Sequence, residues 1–268
     1  LTTVSLPGQT YFGTNTFSGC TGLTSVTFAK GTTMLSCNAT KADAAKSINM
    51  FKGCSSLTTV TFEEPVTLIA GSAFENCESL TTITNFFGSV ETLGSNALRN
   101  TGLTTATFDS LENVNTYALA SNTKLTSVTF KKDLKGKGGS LFSSCTNLTS
   151  VTFEGTIPTN ISSVFYNCAS LASVTVSDSM TQLPAKFLQD TAIKTFKLPK
   201  SLASFDYAWF TDSAIEKYDI DESATKFSVK DGVLYDKAGT KLISVPANKA
   251  GALDLSGIKD INANAFYN

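Results

Sequence analysis

Five of the six cysteines share one address. Cys20, Cys54, Cys77, Cys145 and Cys168 each stand three residues before a leucine, and Asn100, Asn122, Asp190 and Asp212 fill the same place elsewhere in the chain. Thiols in such a column would point in parallel, which does not suit the crossed geometry of a disulfide. There is no histidine and no C-x-x-C grouping to complete a zinc set. A small side chain that bonds the backbone of a turn explains Cys, Asn and Asp together, so buried free thiols are expected. Cys37 stands outside the column and is the thiol most open to reaction. Without histidine, Ser-His-Asp and Cys-His nucleophile systems and histidine pH switches drop out together. Asp219 and Asp221 have the spacing for acid–base work or a calcium ion. They lie in a charge-rich final stretch that reads better as a solvated surface. No catalytic residue, metal or cofactor is expected, and the chain is not read as an enzyme.

Binding chemistry is better represented. Hydroxyl residues recur at two alternating places of a six-residue pattern: Thr59 and Thr61, Thr82 and Thr84, Thr105 and Thr107, Ser127 and Thr129, Ser150 and Thr152. On a strand these form two ladders on the wet face. One reading is structural, because β-branched threonine fits a strand and Thr–Thr neighbours stabilise cross-strand pairs. The other is a flat, uncharged lattice of donors and acceptors for a protein strand, a sugar polymer or ordered water. Tyr207 and Trp209, the only tryptophan, form the candidate exposed aromatic contact, with gap filling as the plain alternative. The segment from Lys131 to Gly139 carries four lysines without arginine or aromatics and reads as a flexible rim loop.

The elements that position these residues follow from periodicity. Leu57-Thr58-Thr59-Val60-Thr61-Phe62 puts apolar side chains at places one, four and six, the pattern of a short half-buried strand. The pattern starts again at Leu1, Leu23, Leu80, Leu103, Leu125, Leu148, Leu171, Ile193 and Ile215, in steps of 22 or 23 residues apart from one of 34. Self-similarity at that period marks a leucine-rich solenoid whose coils bury their apolar faces against each other. Strands at ~4.8 Å spacing would form one sheet roughly 45 Å long. In the second half of each coil, a column of Phe17, Phe51, Phe74, Phe142, Phe165, Phe187 and Phe210, with Leu98 and Leu119, marks core. The Ser72-Ala73-Phe74 type of segment suits one helical turn, with Ser72 as its cap. The place before that Phe holds Ala73, Ala97, Met50, Val164, Lys186 and Trp209, which suggests a partly open column.

The expected fold is therefore an α/β repeat solenoid, a leucine-rich-repeat superhelix with one parallel β-sheet face and short helical turns on the convex face. It is read as a single unit over residues 1–268, with about ten repeats of 22–23 residues in 1–220. An insertion at 31–50, around Cys37 to Lys46, suits a short helix. Residues 221–257, punctuated by Asp231-Gly232 and Ala238-Gly239, form a β-hairpin variant repeat, and 258–268 a truncated repeat. The chain starts and stops inside repeats and reads as an excised piece of a longer protein.

Ala73-Phe74-Glu75-Asn76-Cys77-Glu78-Ser79-Leu80-Thr81-Thr82-Ile83 and Phe51-Lys52-Gly53-Cys54-Ser55-Ser56-Leu57 resemble the BspA-like leucine-rich repeats, whose consensus is A-F-x-x-C-x-x-L-x-x-V-x-F. That resemblance implies a secreted or cell-surface protein of Bacteroides-type bacteria or of some parasitic protists, adhesion or recognition without catalysis, and an extracellular or host protein as partner. Carbohydrate capture is the alternative, and a monomer is expected. A net charge of -1 gives no long-range pull toward phosphate, so nucleic acid is not expected as a partner. No run of apolar residues is long enough to span a membrane.

Overall fold

The computed structural model describes residues 1–8, 11–37 and 46–267. Its front wall is built of strands that open successive coils: β1 (Thr3–Leu6), β2 (Ser25–Phe28), β4 (Thr59–Phe62), β6 (Thr82–Thr84), β8 (Thr105–Phe108), β10 (Ser127–Phe130), β12 (Ser150–Phe153), β13 (Ser173–Thr175), β14 (Thr195–Leu198) and β15 (Lys217–Ile220). The period-two alternation works as expected. Val26, Val60, Val128 and Val151 point into the core, while the hydroxyl residues between them point out. Neighbouring strands run parallel and in register, so like side chains stack: Phe28 on Phe62 at 4.7 Å, and Phe130 on Phe153 at 5.2 Å. A second aromatic column stacks at the far side of the core, with Phe51 on Phe74 at 5.5 Å and Phe142 on Phe165 at 5.7 Å.

A back wall was not visible in the residue pattern. Two-residue strands β3 (Met34–Leu35), β5 (Leu68–Ile69), β7 (Thr92–Leu93), β9 (Asn113–Val114) and β11 (Lys135–Gly136) pair in parallel as a second sheet. Lys135 and Gly136 therefore belong to a strand, and the lysine-rich segment there is not a free rim loop.

The short helical turns expected on the convex side are not present. Among the described residues the one helical element with defined bounds is a 3-10 turn, Tyr207–Trp209. The reason lies in the backbone. Ser72 and Asn76 both adopt positive φ, 54° and 61°, and so do Asn49, Asn96, Ser140, Ser163 and Asn167 in matching parts of other coils. Left-handed residues two on either side of the core Phe forbid a right-handed helix there. The N–H groups point along the solenoid instead: Ser72, Phe74 and Asn76 donate to the carbonyls of Ser95, Ala97 and Arg99 in the next coil, at 2.8, 3.0 and 2.9 Å. Ser72 is thus a left-handed turn residue and not a helix cap.

The front wall is also not one continuous sheet. It divides into β1-β2-β4-β6, β8-β10-β12-β13 and β14-β15. At the first seam Asn85 replaces the sixth-place Phe, turns left-handed (φ 52°), and its Nδ2 donates to Phe62 O at 2.7 Å, closing β6 early. Phe87 then meets Phe108 edge-on at 5.4 Å and does not continue the stack. At the second seam one of the usual donors is missing. Ala29, Glu63, Lys131 and Glu154 donate their N–H groups to Leu6, Phe28, Phe108 and Phe130 in the preceding coil, but Pro199 at the same place has none to give.

The helix expected around Cys37 to Lys46 falls mainly on residues outside the described set. Beyond β15 the chain forms β16 (Phe227–Lys230), β17 (Val233–Asp236) and β18 (Lys241–Ser244), an antiparallel meander, and then β19 (Asp260–Ile261), parallel to β18. Its first hairpin turns at Asp231-Gly232, both left-handed. Phe227 and Leu234 extend the main core, and Gly232 O accepts from Tyr218 N–H of β15 at 2.9 Å. Val233, Tyr235, Leu242 and Ala265 gather a small second core with Leu253, Leu255 and Ile258.

Candidate functional site

Strand register places the hydroxyl ladders on one outward face. Thr59 lies beside Thr82, and Thr61 beside Thr84. Thr105, Ser127 and Ser150 form one row of the second sheet, and Thr107, Thr129 and Thr152 the other. Thr82, Thr84, Thr105 and Thr107 are exposed, because the seam between β6 and β8 removes a neighbour from each pair; the remaining six are half-buried.

The hydroxyls on this face divide into two kinds. At the second place of the pattern Thr24, Thr58, Thr126 and Thr149 donate to the carbonyls of Thr2, Thr24, Thr104 and Thr126 at 2.9, 3.0, 3.0 and 2.9 Å. Those groups are committed to holding coils together. The ladder hydroxyls themselves, apart from a 3.5 Å contact of Thr59 with Thr58, bond no other protein group among the described residues. They keep their full donor and acceptor capacity for something outside.

The aromatic pair is split by the 3-10 turn. Trp209 is 4% exposed and packs against Phe205 at 5.4 Å, so it fills the core and offers no contact surface. In the column that Trp209 shares with them, Ala73, Ala97, Met50 and Val164 are buried, and Thr16 before Phe17 is exposed. Lys186 has φ 52° and slips into the left-handed place beside this column. Tyr207 is exposed and meets Tyr267 edge-on at 4.7 Å. Tyr11, Tyr117, Tyr166 and Tyr267 are exposed as well. Tyr166 and Tyr267 directly follow a Phe of the repeat, and that adjacency was the signal available for them.

The cysteine column is a hydrogen-bond ladder between coils. Cys54, Cys77, Cys145 and Cys168 donate from Sγ to the carbonyls of Phe17, Phe51, Leu119 and Phe142 at 3.1, 3.1, 3.2 and 3.0 Å. Burial pushes the Cys54 thiol up to about 11 and Cys168 up to about 12, and raises Cys77 and Cys145 further, so none is a nucleophile at neutral pH. Cys20 and Cys37 are half-buried, and all six are free. Asn122 joins the column as expected, with Nδ2 on Leu98 O at 2.9 Å. Asn100, Asp190 and Asp212 do not. They take the left-handed place before it, as Gly53 and Asn76 do, and Thr101, Thr191 and Ser213 enter the column. Counting back from the leucine misses this, because these coils are one residue shorter between Phe or Leu and the next strand.

Charged groups pair mainly along the same rows. Glu75, 6% exposed, lies between Lys52 at 3.0 Å and Arg99 at 3.5 Å, one coil to either side. The alternating signs after Phe51, Phe74 and Leu98 carried that information. Lys131 binds Asp109 and Lys135 binds Glu112, both at 2.8 Å, so two of the four lysines of the basic segment are already partnered. Asp221 accepts from Ser223 N–H at 2.9 Å and its hydroxyl at 2.6 Å, which holds the carboxyl below its usual range and makes it a turn cap. Among the described residues there is no grouping of three metal-ligating side chains, and no helix is long and apolar enough to cross a membrane.

Stacked parallel coils with a leucine-anchored front strand and ladders of like side chains define a leucine-rich-repeat β-solenoid. The BspA-type leucine-rich repeat profile matches in six copies over residues 1–50, 45–159 and 122–237, and the chain belongs to that family. Among solved structures, a leucine-rich repeat protein from Bacteroides ovatus is similar over 97% of this chain and 68% of its own, with a TM-score of 0.62 at 17% identity. A leucine-rich cell surface protein from Faecalibacterium prausnitzii aligns over 97% of this chain and 78% of its own at 22% identity, with a TM-score of 0.41. No protein with curated annotation matches the chain.

Proposed function

We propose that this chain is a non-enzymatic recognition module of a surface or secreted protein, adhesin-like, which binds an extracellular or host protein through its front strand face. The observation that carries this reading is the division of the hydroxyls: second-place threonines bond the neighbouring coil, while Thr82, Thr84, Thr105, Thr107 and their row partners leave theirs unused. The outer rows are thereby open to the polar groups of a bound chain, whereas the second-place hydroxyls are not. Membership of a repeat family whose modules present broad faces for shape-complementary contact supports it. The raised thiols and the absence of histidine support a role without catalysis. No exposed large apolar or aromatic residue stands on the strands of this face, so a sugar ring has nothing to stack on there.

The test is retention of the purified chain on immobilised extracellular-matrix proteins, repeated with Thr82→Glu, Thr105→Glu and Thr129→Glu combined. The expected result is retention of the wild type and its loss in the variant, with far-UV circular dichroism unchanged. If the wild type is not retained, or the variant binds as well, the face is scaffold.

A further inference from the structure

The meander breaks the repeat and carries a half-open cavity of about 310 Å³ between β16, β17, the turn at 237–239 and the segment 254–258. That volume lies at the lower end of the ~300–1,000 Å³ range of small-molecule sites, enough for one small ring and not for a chain. Val229, Ile258 and the Tyr235 ring supply its apolar wall, and Lys230, Asp254 and Ser256 its polar groups.

These polar groups hold spare capacity of both kinds. Asp254 accepts from Ser256 N–H at 2.8 Å and Ser256 Oγ at 3.0 Å, which fixes the carboxylate and leaves lone pairs over. The Lys230 ammonium and the Tyr235 phenol bond no protein group among the described residues. Lys237, also on the rim, donates to Glu222 O at 2.7 Å. Lys230, Lys237 and Asp254 line the cavity and Asp231 follows Lys230 at the hairpin turn, so charges of both signs stand at or beside the site. A strongly charged ligand would meet as much repulsion as attraction. A polyol, each of whose hydroxyls both donates and accepts, satisfies ammonium, phenol and carboxylate together while its C–H face lies against Val229 and Ile258.

We propose that this cavity is a carbohydrate subsite that takes one uncharged pyranose unit, with Asp254 accepting and Lys230 donating to its hydroxyls and Tyr235 forming the wall. It goes beyond the protein-binding role of the front strand face and is spatially separate from it, so either can fail alone.

Saturation-transfer NMR with the whole chain tests it, using methyl glucopyranoside, methyl mannopyranoside and methyl galactopyranoside at millimolar concentration, with glucuronate, phosphate and glycerol as comparators. The expected result is saturable transfer to at least one methyl pyranoside, weakened roughly tenfold in Lys230→Ala and in Asp254→Asn, each loss corresponding to one charge-assisted hydrogen bond. Both residues are exposed, so these variants should fold, and circular dichroism checks that they do. The combined Thr82, Thr105 and Thr129 variant should bind the sugar as wild type does. No transfer to any pyranoside, equal transfer to glycerol, stronger binding of glucuronate or phosphate, or unchanged binding in both cavity variants would each overturn the proposal.

Discussion

Asn122 offers the sharpest check on how the coils are joined. It is fully buried, and its amide makes four bonds: Nδ2 to Leu98 O at 2.9 Å and Leu119 O at 2.7 Å, and Oδ1 from Thr101 N–H and Thr101 Oγ1, both at 2.7 Å. In Asn122→Ala, Leu119 O keeps the Cys145 thiol at 3.2 Å, and the Thr101 hydroxyl can rotate. Thr101 N–H and Leu98 O lose their partners inside the core. Each such orphan costs about 1–3 kcal/mol, so the variant should lose about 2–6 kcal/mol. Asn122→Cys places in the column the residue that its neighbours use. It retains a donor for Leu98 O and orphans only Thr101 N–H, so it should cost about 1–3 kcal/mol. Urea titrations followed by circular dichroism measure both through the shift in midpoint, and amide exchange at Thr101 localises the effect. A loss below about 1 kcal/mol for Ala, or a Cys variant no milder than Ala, would refute the ladder as the force joining these coils.

Other consequences can be checked with simple reagents. A thiol reagent at pH 8 should label Cys20 and Cys37 in the folded chain and reach Cys54, Cys77, Cys145 and Cys168 only on denaturation, as read by mass spectrometry of the digested adducts. Asp236 accepts from the N–H groups of Thr240 and Lys241, both at 2.7 Å, which holds its carboxyl below the usual 3.8. Because the folded value is the lower one, its contribution is fully present above the unfolded value and is lost as pH falls through the folded value. Exchange of those two amides should therefore accelerate in acid beyond the intrinsic rate, and Asp236→Asn should remove that extra pH dependence. Glu75→Gln leaves Lys52 and Arg99 facing each other across a neutral amide and should cost about 1–3 kcal/mol, a loss that salt reduces.

What could be read from the residues depended on whether the signal was local. The front strands and their register were legible, because period-two alternation is written side chain by side chain from Leu57 to Phe62 and repeats in phase. The back wall was not, since a strand of two residues such as Leu68–Ile69 carries no period at all. Ser-Ala-Phe was read as a helical turn because its composition permits one. The decisive fact is a bond to a residue some 23 positions away, Ser72 N–H to Ser95 O, which composition does not record. The recurrence of Asn or Ser two places before the core Phe, as at Asn15, Asn49 and Ser140, was the available hint of left-handed backbone. At the candidate site, the outward direction of the threonines was legible and their division into used and unused hydroxyls was not. Trp209 was ambiguous for another reason: a ring that fills a gap and a ring that meets a partner have the same letter.

The seam at Pro199 acquires a further meaning when the solenoid is pulled. A solenoid under tension carries load from coil to coil through bonds that lie along its axis, and it yields first where a whole wall of such bonds is missing. Between β13 and β14 the front strands share no ladder, and only Ala192 N–H to Leu171 O at 3.0 Å and Ser201 N–H to Asp178 O at 3.2 Å flank the gap, while on the far side Lys186, Phe187 and Asp190 donate their N–H groups to the carbonyls of Ala208, Trp209 and Asp212 at 2.7, 2.8 and 3.1 Å. Tension would therefore part the front wall at this place while the far-side bonds hold, with the stacked phenylalanines of β8 to β12 on one side and the meander with its cavity on the other. Under force the chain would behave as two stiff segments joined by a compliant link, and extension would begin at that link before any coil unravelled.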